Sequence, residues 1–344
     1  SRRLEREAKR NVELMWLTGR LSPDFKTIAN FRKDNGEAIR LVCREFVMLC
    51  RKLNLLGDTL AIDGSKFKAV NNRDKNFTKA KMKRRIAEVE ASIERYLDQL
   101  DEADDAAPAE DTRPIQDKIA ALEEEMNRLK KLEVRMLEAP DEQLSLTDPD
   151  ARSMKSRGSG IVGYNVQAAV DVETHLIVVH DVTNAGIDRR QLSPMATKAK
   201  QLLDDEPIKV IADQGYYRGE ELLACEAANI TTYVAKSDTS GKRDKGEFSR
   251  RQFRYVPEDD EYECPAGERA IYRFTRTEAG KQIRRYWSSA CVRCPIKSKC
   301  TPSPYRRISR WEHEDVVERA ESRLAEYPEA MRVRRATVEL SLIH

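Results

Sequence analysis

Two short apolar runs, each ending on an aspartate, constrain this chain more than any other feature. Thr59-Leu60-Ala61-Ile62 leads into Asp63-Gly64, and Val210-Ile211-Ala212 leads into Asp213-Gln214-Gly215-Tyr216. Short β-branched runs bounded by turn residues read as buried strands, with the aspartate where each strand leaves the sheet. A carboxylate just outside a sheet is a ready ligand for a hard divalent cation such as Mg²⁺ or Mn²⁺. Two of them with a third can hold the metal pair of a phosphoryl-transfer site. The third candidate is Glu339, in Arg335-Ala336-Thr337-Val338-Glu339. Strand-end aspartates also stabilise turns, so each motif alone carries little weight. Their joint occurrence in this order carries much more.

The chain between and around these motifs divides by pattern. Residues 1–56 read as helices, with Ser22-Pro23-Asp24 as a start signal and Ile28, Phe31, Ile39, Val42, Phe46 and Leu49 as buried positions. The turn near Asn35-Gly36 fits either a helix-turn-helix or a small bundle on the sheet. Residues 57–78 hold the first strand, predicted over 59–63. From 79 to 140 the spacing predicts a hairpin of two long helices. Met82, Ile86, Val89, Ile93, Tyr96 and Leu100 form one a/d seam, and Ile115, Ile119, Leu122, Met126, Leu129, Leu132 and Met136 form the other. Asp101–Asp111 falls in the reversal between these antiparallel coiled-coil arms. The hairpin either reaches DNA or a second subunit, or is a structural insertion without chemistry.

Residues 141–246 alternate strands and helices. Strands are predicted over 161–170, 174–182, 208–213 and 230–235, and helices over 188–204 and 219–228. Paired strands followed by strand–helix alternation predict a mixed α/β sheet covered on both faces. Residues 247–310 read as a small insertion. Residues 311–344 read as closing helices, with Pro328 at the first turn of the last one.

That insertion carries Cys264, Cys291, Cys294 and Cys300. Cys291-x₂-Cys294 can present two thiolates to one Zn²⁺, and the other two cysteines can complete a tetrahedron with a structural role. Reduced, unliganded thiols are the alternative. Cys43, Cys50 and Cys225 sit in helical apolar patterns and read as core. The seven cysteines without a secretory signal argue against a disulfide scaffold. Charged residues are 35% of the chain and no apolar run nears a membrane span of about 20 residues. The net charge of +3 conceals basic clusters at Arg2–Arg10, Lys79–Arg85, Arg284-Arg285 and Arg332–Arg335. These are either a nucleic-acid footprint or solvated faces. No Walker-type loop is present, which argues against ATP-driven function.

Taken together, Asp63, the Asp213-x-Gly215-Tyr216 stretch, and Glu339 with Arg335 four residues before it resemble the DDE transposases of bacterial insertion sequences. Gly163–Asp171 also looks like that family's second strand. The resemblance implies an RNase H-like catalytic core with a helical region before it and a cysteine-rich insertion, to which the spacing adds the coiled-coil hairpin insertion. It implies metal-dependent DNA strand cleavage and strand transfer, with Asp63, Asp213 and Glu339 as catalytic Mg²⁺ or Mn²⁺ ligands. Arg332, Arg335 and Lys66 are the expected DNA contacts. Double-stranded transposon ends and target DNA are the expected partners, bound by a homodimer at the nucleoid in the bacterial cytoplasm, with no membrane. Two departures stand out: Arg332 occupies a position where relatives commonly carry Tyr, and no basic residue follows two turns after Glu339. Together with the opening Ser1, they make a fragment with little or no activity the expectation. The rivals are an RNase H-like nuclease that cuts without joining, and a catalytically dead DNA-binding remnant.

Overall fold

The computed structural model describes residues 1–69, 73–104, 112–139, 141–155, 160–236 and 248–343, excluding the side chains at 73, 103, 104 and 339–343. Asn71 and Asn72, most of the hairpin reversal and nearly all of the charged break at 236–246 lie outside the described residues. Among the described residues, no helix is long and apolar enough to cross a membrane.

Four helices open the chain: α1 (Arg2–Ala8), α2 (Val12–Leu17), α3 (Phe25–Asp34) and α4 (Gly36–Lys52). The Asp24 carboxylate accepts the Thr27 amide at 2.7 Å and caps α3, as the start signal predicts. Burial departs from expectation. Phe31, Val42, Phe46 and Leu49 are 51–68% exposed, and Cys43 is exposed. Two stripes run along α4, and only the one through Val47 and Cys50 is buried, with Val47 joining the main core. Periodicity finds both stripes without saying which one is covered.

Next comes β1 (Thr59–Lys68), longer than the predicted strand. A short strand β2 (Asn76–Thr78) leads into α5 (Lys79–Asp104) and α6 (Arg113–Leu137), and β3 (Gln143–Ser145) returns to pair with β2. The two long helices pack through Met82, Val89, Met126, Leu129, Leu132 and Met136, with Phe77 of β2 at the base. Ile86, Ile93 and Leu122 are partly buried along the same seam.

The central sheet then forms from β4 (Arg152–Lys155), β5 (Gly160–Asp171), β6 (Ile177–Thr183), β7 (Ile208–Ala212) and β8 (Ile230–Val234), with β1 in the middle. Its order is β4-β5-β1-β7-β8, and β6 pairs with β5 as a hairpin. At that hairpin turn, Asp171 accepts the Thr174 amide at 2.8 Å and the Thr174 hydroxyl at 2.7 Å. Two helices of this stretch are α7 (Leu192–Leu202) and α8 (Gly219–Ala227). The first starts four residues later than predicted, because Asp188 accepts side-chain hydrogen bonds from Asn165 and Gln167 instead of entering the helix.

Strands β9 (Arg254–Val256), β10 (Glu261–Glu263), β11 (Arg269–Glu278), β12 (Lys281–Trp287) and β13 (Ile308–Trp311) make a second sheet in the order β13-β12-β11-β10-β9. Phe253, Tyr262, Ala270, Tyr286 and Ile308 give it a core of its own. Two helices follow, α9 (Glu314–Glu326) and α10 (Ala330–Ile343). Pro328 precedes α10 by two residues instead of opening it, because a turn at Tyr327–Ala330 comes first. On one face of the central sheet α7, α8 and α9 build the main core. On the other, Val338 of α10 packs on Ala61, Ala168 and Val170. Helices on both faces of a mixed sheet make this an α/β fold with an RNase H-like core.

Candidate active site

Asp63 and Asp213 meet because β1 and β7 are neighbours. Their parallel ladder runs from Thr59 opposite Lys209 to Ile62 opposite Ala212, so the next residue on each strand is an aspartate. At this point β7 ends in a turn. β1 instead continues for five more residues against β5, up to Lys68 opposite Gly163. Asp63 therefore lies within its strand, at the end of the pairing with β7 and not at the end of the strand. Side chains alternate along β1, which puts Ala61 and Asp63 on the α10 side and Ile62 and Gly64 on the α7 side.

Each carboxylate commits one oxygen to its own backbone. Asp63 Oδ1 accepts the Gly64 amide at 2.8 Å, and Asp213 Oδ1 accepts the Gly215 amide at 2.7 Å. Both Oδ2 atoms face Arg334 on α10. Its Nη1 donates to Asp63 Oδ2 at 3.0 Å, and its Nη2 lies 4.0 Å from Asp213 Oδ2. Burial pushes the Asp63 carboxyl up from its ordinary value. Arg334 and the Gly64 amide oppose that shift, and the Asp213 charge adds to it.

Behind the pair lies a buried polar network on the α7 side. Asn165 and Gln167 donate to Asp188 Oδ1 at 2.7 and 2.8 Å, and the buried Tyr216 hydroxyl donates to Gln167 Oε1. Burial, then Asp188, Asp63 and Asp213, raise the Tyr216 phenol above its usual range, so it stays a neutral donor. Gly64 makes room for this network: a Cβ there would sit 2.3 Å from Gln167 Nε2 and 2.9 Å from Asp188 Oδ1.

The other expected site residues are placed as follows. Position 339 lies on α10, but the Glu339 side chain is outside the described residues. Arg332 pairs with Glu329 at 2.7 Å, and Arg335 donates to the Met331 carbonyl at 3.4 Å, each within its own segment. The guanidinium beside the aspartates belongs to Arg334, which the sequence reading passes over. Its signal was its place on the buried stripe of Ala330, Thr337 and Val338, a cation on an apolar face. Lys66 is three residues beyond Asp63 on β1, on the opposite face by alternation, and donates to the Lys155 carbonyl at 2.8 Å. Paired carboxylate oxygens that already face one cation suit a hard divalent ion. Among the described residues, no group of three or more His, Cys, Asp or Glu side chains stands together to hold a metal.

The sequence profile of the transposase DDE domain family matches residues 134–339, more than half of the chain. The chain belongs to the DDE transposase family. No curated protein and no solved structure matches it significantly. The matched part of the transposase takes in Asp213 and position 339, while β1 with Asp63 precedes it.

The transposase has a second constellation in its small lobe. Cys264, Cys291, Cys294 and Cys300 line one cavity with Phe248, Phe253 and Ala270. The Cys264 carbonyl accepts the Gly267 amide at 2.8 Å, with Gly267 at a φ of +81° that favours glycine. Burial pushes the Cys300 thiol up, Arg306 opposes it, and Cys291, Cys264 and Cys294 add to the rise. The four cysteines thus line one cavity, but among the described residues they do not form the tight metal-holding cluster the sequence predicts.

Proposed function

We propose that this transposase cuts double-stranded DNA at the ends of a bacterial insertion sequence and joins the freed ends to target DNA. The observation that carries the reading is the convergence of the Asp63 and Asp213 Oδ2 atoms on one cation position, in a chain of the DDE family. A pair of Mg²⁺ or Mn²⁺ ions supplies activation of the attacking oxygen and neutralisation of the leaving one. Asp63, Asp213 and Glu339 would hold these ions. The Gly64 and Gly215 amides fix the two carboxylates in place by holding their Oδ1 atoms. Arg332 and Arg335, both exposed on α10, and Lys66 take backbone phosphates.

The same reading assigns residues 1–56 to a helical N-terminal region and 57–78 with 141–246 and 311–344 to the core. Residues 79–140 form the hairpin insertion and 247–310 a lobe stapled by Zn²⁺ on Cys264, Cys291, Cys294 and Cys300. The protein works on DNA as a homodimer, at the nucleoid in the bacterial cytoplasm.

The test is cleavage of an end-labelled transposon-end duplex in Mg²⁺, followed by transfer to a target plasmid. Asp63→Asn and Asp213→Asn should each abolish cleavage while duplex binding persists. Cleavage at the unsubstituted rate by both variants sinks the reading, and cleavage without transfer reduces it to a nuclease. For the lobe, metal analysis of freshly purified, reduced protein should find about one zinc per chain.

A further inference from the structure

We propose that Arg334 is the resident counter-cation of the aspartate pair, and that a divalent ion binds there only by displacing it from Asp63 or Asp213. Arg334 then holds the metal affinity of the site down. The inference rests on reading Asp63 and Asp213 as metal ligands, and goes beyond it by giving that site a built-in competitor.

Three observations point the same way. Each Oδ1 atom is held by a backbone amide one or two residues on, Gly64 for Asp63 and Gly215 for Asp213, so the Oδ2 atoms are the ones left for a shared ligand. Those two atoms are the ones Arg334 faces, at 3.0 and 4.0 Å. A metal bridging the aspartates therefore needs the position that the guanidinium now takes.

Charge makes the same case. Two carboxylates and one guanidinium leave a net charge of −1, whereas the bare pair would set two like charges together with one of them largely desolvated. Arg334 is what keeps the pair converged before a metal arrives.

Mobility is the third observation. The Arg334 residue is only 9% exposed and rides on the stripe that docks α10 to the sheet. Its guanidinium cannot simply swing into solvent, so metal binding must shift the side chain or the helix that carries it. Arg332 and Arg335, paired within their own segment, face no such choice.

The experiment measures Mn²⁺ binding to the full chain without DNA, by the free-Mn²⁺ electron paramagnetic resonance signal, with circular dichroism confirming the fold. Arg334→Gln should bind Mn²⁺ about tenfold more tightly, the equivalent of about 1.4 kcal/mol. Saturating Mn²⁺ should also raise its melting temperature more than that of the unsubstituted protein. Equal or weaker binding by Arg334→Gln overturns the proposal while leaving the metal site intact. Undiminished binding by both Asp63→Asn and Asp213→Asn overturns the metal-site reading, and this inference with it. Should Arg334→Gln not fold, Arg334→Lys serves. A single ammonium cannot span both carboxylates, so a smaller gain of the same sign is expected, and no gain counts against the proposal.

Discussion

At the scale of single residues, the end of the sheet that carries Asp63 and Asp213 is set by what glycine leaves out. Gly64 opens the space that Asn165, Gln167 and Asp188 fill, so Gly64→Ala pushes a methyl into polar atoms that cannot withdraw without losing partners. The expected cost is about 1–3 kcal/mol, the usual range for overpacking, read by urea denaturation. No loss of stability would show that the network yields freely. Gly215→Ala acts on the Asp213 carboxylate instead: the added carbon would sit 2.9 Å from Asp213 Oδ1 and should displace it. Mn²⁺ binding should weaken with little change in stability, and unchanged binding would show that Asp213 keeps its orientation. That Asp63 and Asp213 each follow a paired strand segment was legible in the sequence, because each comes directly after a strand-like apolar run with a glycine one or two residues on. Arg334 was not, because Arg334 and Arg335 are adjacent, and only the docking of α10 decides which of them turns inward.

At the scale of elements, the long helices and the central strands follow from periodicity, and the departures have local causes. β1 outruns its apolar stretch because β5 continues to offer it backbone partners through Gly163, whatever the side chains are. Phe31 of α3 and Val42 and Phe46 of α4 were read as buried, yet spacing names a shared face and never the covering surface. In the hairpin, Leu129 is fully buried in the seam. Leu129→Ala should cost about 2–5 kcal/mol there. Hydrogen exchange should speed up in α5 and α6 while β1, β5 and β7 keep their protection. Uniform acceleration would show instead that the hairpin and sheet unfold as one unit. The small lobe has its own acid sensitivity. Burial raises the Asp260 carboxyl, but hydrogen bonds from Tyr255 and Tyr286, with the Arg284 and Arg310 charges, bring it net below its ordinary 3.8. A carboxyl lowered in the folded state stabilises above its unfolded value, and that contribution disappears as the pH falls through the folded one. Asp260→Asn should therefore destabilise the protein at pH 7, and the gap should close towards pH 3. A gap of the same size at both would assign it to hydrogen bonding alone.

At the scale of the whole molecule, one late helix closes a face that the earlier chain leaves open. Val338 is fully buried on Ala61, Ala168 and Val170, and Arg334 reaches the aspartates from the same helix. Val338→Asp would bury an unpaired charge and should cost about 3 kcal/mol or more, as a lowered melting midpoint. A change within the noise would mean that α10 is held elsewhere. The layered α/β architecture was legible from the order of strands and helices, whereas the closeness of β1 and β7 depends on a pairing that bridges the intervening hairpin. That pairing has a temporal consequence. Asp63 and Asp213 are separated by 213 − 63 = 150 positions, so at about 5–20 residues per second the ribosome needs roughly 8–30 s to pass from one to the other. During that interval the emerging polypeptide holds one aspartate without its neighbour, and a product abandoned before residue 213 never brings the two carboxylates together.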